Sequence, residues 1–119
     1  MSAESELYAA LSGHAPLTAL VSTRIYPDAI PEDKALPAVV FSRAGTDPVF
    51  TVHGLAVAET VRFQIAAWGA TRTAAQTAAD AVQGALNAAK FPPVNRSSAF
   101  DGELGLYADV VETDWFTNL

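Results

Sequence analysis

The stretch Val57-Ala-Glu-Thr-Val-Arg-Phe-Gln-Ile-Ala-Ala-Trp68 decides the fold. In its centre, Val61, Phe63 and Ile65 alternate with polar side chains, so one face of a strand is apolar and the other is polar. Directly after it, residues 71–90 repeat apolar side chains at helical spacing. A half-buried strand followed by an amphipathic helix predicts that this helix packs on the apolar face of a sheet.

The helix predicted over residues 71–90 has an apolar stripe made mostly of alanine. Thr73 and Gln76 have the spacing of a capping box at its start, and the two prolines after Phe91 end it. Small side chains in the stripe allow the helix to lie close to the sheet. The stripe consists of Ala75, Ala78, Ala79, Val82 and Leu86.

The remaining segments complete an α+β pattern in one domain over residues 1–119. Two short helices are predicted over residues 3–11 and 16–22, and a proline-rich irregular connection over residues 24–38. The predicted fold is an antiparallel β-sheet with one long alanine-rich helix packed on a face and short N-terminal helices. The predicted strands cover residues 38–44, 49–53, 57–68 and 104–116, with a turn at residues 45–48.

Composition excludes several classes of protein. The 119 residues contain no cysteine and carry a formal charge of -6. Disulfide scaffolds, zinc-thiolate sites and thiol nucleophiles are therefore absent, and the acidic balance disfavours direct nucleic-acid binding. No apolar run approaches the roughly 20 residues of a membrane span, and the acidic start does not resemble a signal peptide. A soluble protein of intracellular origin is expected.

No pattern of residues predicts catalysis, a metal site or a cofactor site. His14 and His53 have no second ligand at helical spacing, and no serine lies in a Gly-x-Ser-x-Gly turn. The glycines at 102 and 105 do not form a phosphate-binding pattern. We therefore expect no enzyme activity, no bound metal and no cofactor.

The C-terminal segment, residues 97–119, has five carboxylates and no Lys or Arg. Three interpretations remain open for this segment: a solvated acidic surface, a docking face for a basic partner, or a surface that repels polyanions. The carboxylates belong to Asp101, Glu103, Asp109, Glu112 and Asp114.

Three aromatic residues do not fit a single core. Trp68 falls on the polar side of its strand, and the neighbours Trp115 and Phe116 must point to opposite faces. They form either a second cluster under the N-terminal helices or a contact with another protein, where Trp is enriched.

Residues 44–56 place Phe50, Val52 and Leu55 among turn-forming residues, where solvent exposure is expected. These apolar side chains either fold back on their own sheet or form a patch for another subunit. The predicted subunit or partner interface thus comprises Phe50, Val52, Leu55, Trp68, Trp115 and Phe116.

In order and spacing, several segments together resemble the tail completion, or tail terminator, proteins of long-tailed bacteriophages. The most specific part is Arg24-Ile-Tyr-Pro27 followed by Leu36-Pro-Ala-Val-Val-Phe41. Before it comes Leu17-Thr-Ala-Leu-Val21. After it come Val61-Arg-Phe-Gln-Ile65, the alanine-rich helix and a strand ending near Trp115.

This resemblance implies a structural virion protein. Members of the family form a hexameric ring on the head-proximal end of the tail tube, end tube polymerisation and form the head-tail joining surface. The implied partners are further copies of the chain, the tail tube protein and a head completion or connector protein. No association with a membrane is expected. The implied location is the neck region of the virion tail, after assembly in the host cytoplasm.

The resemblance also gives the acidic segment a role. The genome passes through the lumen of such a ring without specific binding, and a lining free of lysine and arginine would not hold phosphates. Some of the five carboxylates of residues 97–119 are therefore expected to face the channel or its rim.

The alternative is a small dimeric α+β-barrel-type enzyme or a ligand-binding domain. Such a protein needs a pocket with convergent polar groups. Besides the acids, only Arg43, Arg62 and His53 are candidates. The native mass separates the two interpretations, because one predicts a hexamer and the other a dimer.

Overall fold

The computed structural model describes residues 3–30 and 35–118. Within these residues it has three helices and five strands, so the α+β fold expected from the sequence is confirmed. The elements are α1 (Ala3–Ser12), α2 (Ala15–Val21), β1 (Ile25–Pro27), β2 (Ala38–Phe50), β3 (Ala56–Gly69), α3 (Arg72–Ala88), β4 (Pro93–Asp101) and β5 (Leu106–Asn118).

The strands form one mixed sheet in the order β1-β2-β3-β5-β4. The pairs β2–β3, β3–β5 and β5–β4 are antiparallel, as predicted, whereas β1 lies parallel to β2. The parallel strand was not predicted. It is only three residues long and ends in a proline, so its sequence carries no alternation to detect.

The core lies between one face of this sheet and the helices. Val61, Phe63 and Ile65 are fully buried on β3, and the predicted stripe of α3 is buried opposite them. Leu7 and Leu11 of α1 join the same cluster. The predicted packing of the alanine-rich helix on the apolar face of the strand is therefore present.

The opposite face of the sheet has no helix on it within the described residues, and we call it the open face. The period of two along a strand places Arg62, Gln64 and Trp68 of β3 on this face. The register with β5 adds Glu112, Asp114 and Phe116 to it. Antiparallel sheets commonly leave one face to solvent or to a partner.

The turn predicted at residues 45–48 is wrong, because β2 continues through it to Phe50. A bulge between Arg43 and Gly45 leaves Ala44 without a partner residue on β3, and a second bulge follows Val49. Pro48 is tolerated because this part of β2 has a partner strand on one side only.

Strand β4 was not predicted, because its sequence is polar and begins with a proline. Seven consecutive residues, 94–100, are exposed, and its strand conformation comes from pairing with β5. The last strand begins at Leu106 rather than at residue 104. A turn closed by the bond from Gly105 N to Asp101 O, at 2.8 Å, separates it from β4.

The start of α3 also differs from the predicted capping box. Thr71, not Thr73, is the N-cap, and its hydroxyl accepts a hydrogen bond from Ala74 N at 3.1 Å. Thr73 lies inside the helix, where its carbonyl accepts from the Thr77 hydroxyl at 2.9 Å. The cap therefore sits two residues earlier, and α3 is 17 residues long.

Candidate subunit and partner surfaces

The β2–β3 hairpin leaves the body of the protein at one end of the sheet. The last eight residues of β2 are exposed, and β1 pairs only with Val39–Phe41. The protein measures 51 Å along its longest axis and 24 Å along its shortest. From Ser42 onward, the outer edge of β2 therefore has no partner strand within the described residues.

The tip of this hairpin is an ordered turn. Thr51 N donates to Leu55 O at 2.8 Å, and the Thr51 hydroxyl accepts from His53 N and Leu55 N at 3.3 and 3.2 Å. Gly54 has a φ of 81°, a backbone conformation that glycine adopts without strain. These bonds define the backbone of the turn from which Val52 and Leu55 project.

The hairpin carries apolar side chains into solvent. The exposed fraction is 58% for Phe50, 96% for Val52 and 68% for Leu55. The alternative in which these side chains fold back on their own sheet is therefore wrong for the isolated chain. Val49 and Val57 are exposed beside them. We call Phe50, Val52 and Leu55 the hairpin patch.

The three aromatic residues of the predicted interface occupy different environments. Trp115 is 4% exposed, and its ring lies 4.4 Å from that of Phe91 in the core, so it forms a cluster under α1 and is not a surface residue. Phe116, on the open face, is 46% exposed. Trp68 is half-buried on that face, beside Ala108 of β5.

Two of the five acidic residues meet Arg62 on the open face. Arg62 Nη1 lies 3.2 Å from Glu112 Oε2, and Arg62 also donates two hydrogen bonds to Asp114. Gln64 Nε2 donates to Glu112 Oε1 at 3.4 Å. The bond to Asp114, followed by that to Glu112, raises the pKa of the Arg62 guanidinium. The Arg62 guanidinium therefore stays positively charged, and its charge is balanced by two neighbouring carboxylates.

Asp109 is an interior residue. Its side chain is 5% exposed and accepts hydrogen bonds from Arg96 Nη2 and from Ser98 Oγ, each at 2.9 Å. Arg96 also contacts Asp80 of α3 at 2.7 Å. The bond to Asp80, followed by that to Asp109, raises the pKa of the Arg96 guanidinium. Arg96 thus ties β4 to α3, and the buried carboxylate of Asp109 on β5 holds Arg96 and Ser98 of β4 in place.

The other two acids lie at the β4–β5 connection, Asp101 as the last residue of β4 and Glu103 within the turn. Asp101 Oδ1 accepts from Glu103 N at 3.0 Å and from Leu104 N at 3.1 Å, so its carboxylate holds the turn together. Glu103 is exposed. The five carboxylates are therefore distributed over three places instead of one acidic surface.

The polar residues required by the alternative interpretation do not converge. Arg43 lies on the helical side and contacts Glu4 and Glu59, Arg62 lies on the open face, and His53 lies at the hairpin tip. Among residues 3–30 and 35–118, no three His, Asp or Glu side chains group in a way that could hold a metal. The same residues include no helix with the length and apolarity to cross a membrane.

A shallow hollow of about 250 Å3 lies where the three helices meet. The sequence did not indicate it, because its walls come from two stretches that are far apart in sequence, residues 9–14 and 85–89. The hollow is lined by Ala9, Ala10, Gly13, His14, Ala85, Ala88 and Ala89.

The ion pairs of Arg62 could have been predicted, because opposite charges lie on the polar faces of β3 and β5.

Comparison with known proteins identifies the family. Residues 5–117 match the family described as tail completion protein gp17. A solved chain from a structure described as "Virion of native gene transfer agent (GTA) particle" has the same fold, with a TM-score of 0.72 and 21% identity over 95% of this chain and 92% of that chain. No curated protein sequence matches. Because the family match spans nearly the whole chain, this protein belongs to the bacteriophage tail completion protein family and is a structural protein of the phage tail.

Proposed function

We propose that this chain forms a hexameric ring that caps the head-proximal end of a tail tube, ends tube polymerisation and forms the head-tail joining surface. The observation that carries the proposal is the hairpin patch, whose three apolar side chains are more than half exposed on a projecting, ordered turn. Exposed apolar groups of this kind mark sites of protein association.

A closed ring needs two different surfaces on each copy, since one patch of a subunit meets another patch of the next. The two edges of the sheet differ in this way. One edge is the short β1 and, from Ser42 onward, β2 with its hairpin. The other edge is β4. Both present unpaired backbone groups within the described residues, and such edges readily accept another chain.

In this ring the open face lines the channel. Arg62 on that face is paired with Glu112 and Asp114, so each copy contributes a net negative charge and no unpaired arginine there. Among the described residues of this face, DNA phosphates then meet no unpaired cation that could retain them, and the genome passes without specific binding. Glu103 and Asp101, at the β4–β5 connection, lie toward the rim.

The two remaining aromatic residues lie near opposite ends of the open face. Phe116 pairs with Thr60 and Trp68 pairs with Ala108. Thr60, the partner of Phe116, and Trp68 are eight residues apart on β3, which corresponds to about 27 Å along the strand. We assign Phe116 and Trp68 to the two rims, where the tail tube protein and the head completion or connector protein bind.

This role is structural and not catalytic, and it belongs to the neck region of a virion assembled in the host cytoplasm. To test the proposal, the full-length chain is added to polymerising tube protein, and its mass is measured under native conditions. We expect a hexamer, tubes that stop growing and a ring at one tube end in micrographs. Tubes that grow unchanged in its presence, or a dimer that binds a small ligand, would contradict the proposal.

A further inference from the structure

The hollow between the helices has room for an apolar side chain, because six of its seven lining residues are alanine or glycine. Ala9, Ala10 and Gly13 come from the end of α1, and Ala85, Ala88 and Ala89 come from the end of α3. His14 closes one side, with its Nε2 only 3.2 Å from the place where a Cβ on Gly84 would stand. No carboxylate of the described residues lines the hollow.

The position of the hollow suits a head-to-tail contact. Ala88 and Ala89 end α3, and β4 begins at Pro93, so the hollow lies near the point where the chain enters the edge strand β4. The hairpin patch lies at the tip of the β2–β3 hairpin, whose outer strand β2 is an edge of the sheet from Ser42 onward. A projection at one edge and a recess near the other are the two unlike surfaces that a ring requires.

The charges beside the two surfaces are complementary. Asp47 is exposed on β2, three residues before Phe50, and Lys90 is exposed directly after Ala89. Neither residue forms an ion pair within residues 3–30 and 35–118. Complementary charges of this kind orient two partners and favour one register.

We propose that Val52 and Leu55 of one copy enter the hollow of the next copy, where Asp47 of the first copy pairs with Lys90 of the second. The occupant of the hollow is therefore a second copy of this chain. This inference rests on the proposed ring and names the surface that receives the hairpin.

Charge reversal tests the pairing. Asp47→Lys and Lys90→Asp should each raise the dissociation constant of the ring roughly tenfold, and the chain carrying both should return close to the wild-type value. Asp is suited to position 90, where φ is 68°, because short polar side chains tolerate that conformation. If the double variant assembles no better than the single variants, the pairing is wrong.

Disulfide trapping tests the hollow itself, since the chain has no cysteine of its own. Val52→Cys combined with Ala88→Cys should give a ladder of covalent oligomers on oxidation. Val52→Cys combined with Ala19→Cys, an exposed site outside the hollow, should not. A ring without the ladder overturns this inference alone. A wild-type chain that forms no ring, free or on tubes, overturns the proposed function and this inference together.

Discussion

The indole Nε1 of Trp115 donates a hydrogen bond of 3.1 Å to Oε2 of Glu6, which joins the last strand to the first helix. The other oxygen of the same carboxylate accepts from the Thr117 hydroxyl at 3.2 Å. Because Trp115 is 4% exposed, its N–H would have no ready access to water without Glu6. This pair holds α1 over the end of β5 that lies closest to the hairpin.

We expect Glu6→Ala to lower the free energy of unfolding by about 2 kcal/mol, since it leaves a buried indole N–H without an acceptor. Glu4→Ala, in the same helix, is the matched control. Glu4 pairs with Arg43 at the surface, and such pairs contribute about 0–1 kcal/mol. Urea denaturation measures both variants, and equal losses would show that the Trp115 bond has no special weight.

Arg96→Met should cost about 3 kcal/mol, because it leaves the carboxylate of Asp109 buried with only the Ser98 hydroxyl as a partner. Asp80→Ala removes another partner of Arg96, but the Asp80 side chain is 70% exposed. Its loss should stay below about 1 kcal/mol. The midpoints and slopes of urea unfolding curves distinguish the two, and a larger loss for Asp80→Ala would contradict this account.

Gly69→Ala should destabilise the fold by about 1–3 kcal/mol through overpacking. An added Cβ would lie 2.7 Å from the backbone nitrogen of Ala75, so the start of α3 would have to move away from the end of β3. Gly45→Ala is the control, because a Cβ there meets nothing within 4 Å. Thermal unfolding of the two variants should differ, and similar midpoints would mean that α3 adjusts freely.

A pair of leucines tests the hairpin patch. Leu55 and Leu104 are 68% and 67% exposed, in the β2–β3 and β4–β5 turns respectively. We expect Leu55→Lys to abolish the ring while the protomer stays folded, because it places a charge in a contact that loses water. Leu104→Lys should still assemble. Sedimentation with circular dichroism tests this, and an intact ring in the Leu55 variant would rule out the patch.

The sequence predicted those elements whose residues alternate strongly or repeat at helical spacing. The pattern from Val61 to Ile65 matches a strand and the alanine stripe of α3 matches a helix, because each pattern places its apolar residues on one face. The split between Trp115 and Phe116 also followed from the period of two. These features depend on residues that are close in sequence, so a single amino-acid sequence is enough to predict them.

Other features depend on partners far away in sequence. Strand β4 is polar and exists through its register with β5. Trp115 lies on the helical face of the sheet because it pairs with the buried residue Val61. Asp109 can be buried because Arg96 and Ser98 donate hydrogen bonds to its carboxylate. The five acids were grouped by sequence, whereas the folded chain separates them according to which strand face or turn each occupies.

The last prediction concerns the charge balance of the open face. Glu112→Gln combined with Asp114→Asn removes both carboxylates that neutralise Arg62. A ring of this variant would present an unpaired guanidinium from every copy, and we expect measurable binding to double-stranded DNA that weakens steeply as salt rises. The wild-type ring should show no such binding. Fluorescence anisotropy of labelled DNA at two salt concentrations measures the difference.

The control for this variant changes the net charge equally without freeing an arginine. Glu103→Gln combined with Asp28→Asn also removes two carboxylates, and neither residue forms an ion pair within the described part of the chain. Asn tolerates the φ of 64° at position 28. If both double variants bind DNA equally, net charge alone governs the contact, and the paired state of Arg62 does not. If only the Glu112 and Asp114 variant binds DNA, these two carboxylates are what keeps Arg62 from holding phosphates. This is the expected result, because screening confines the effect of the more distant acids to about 8 Å at physiological salt.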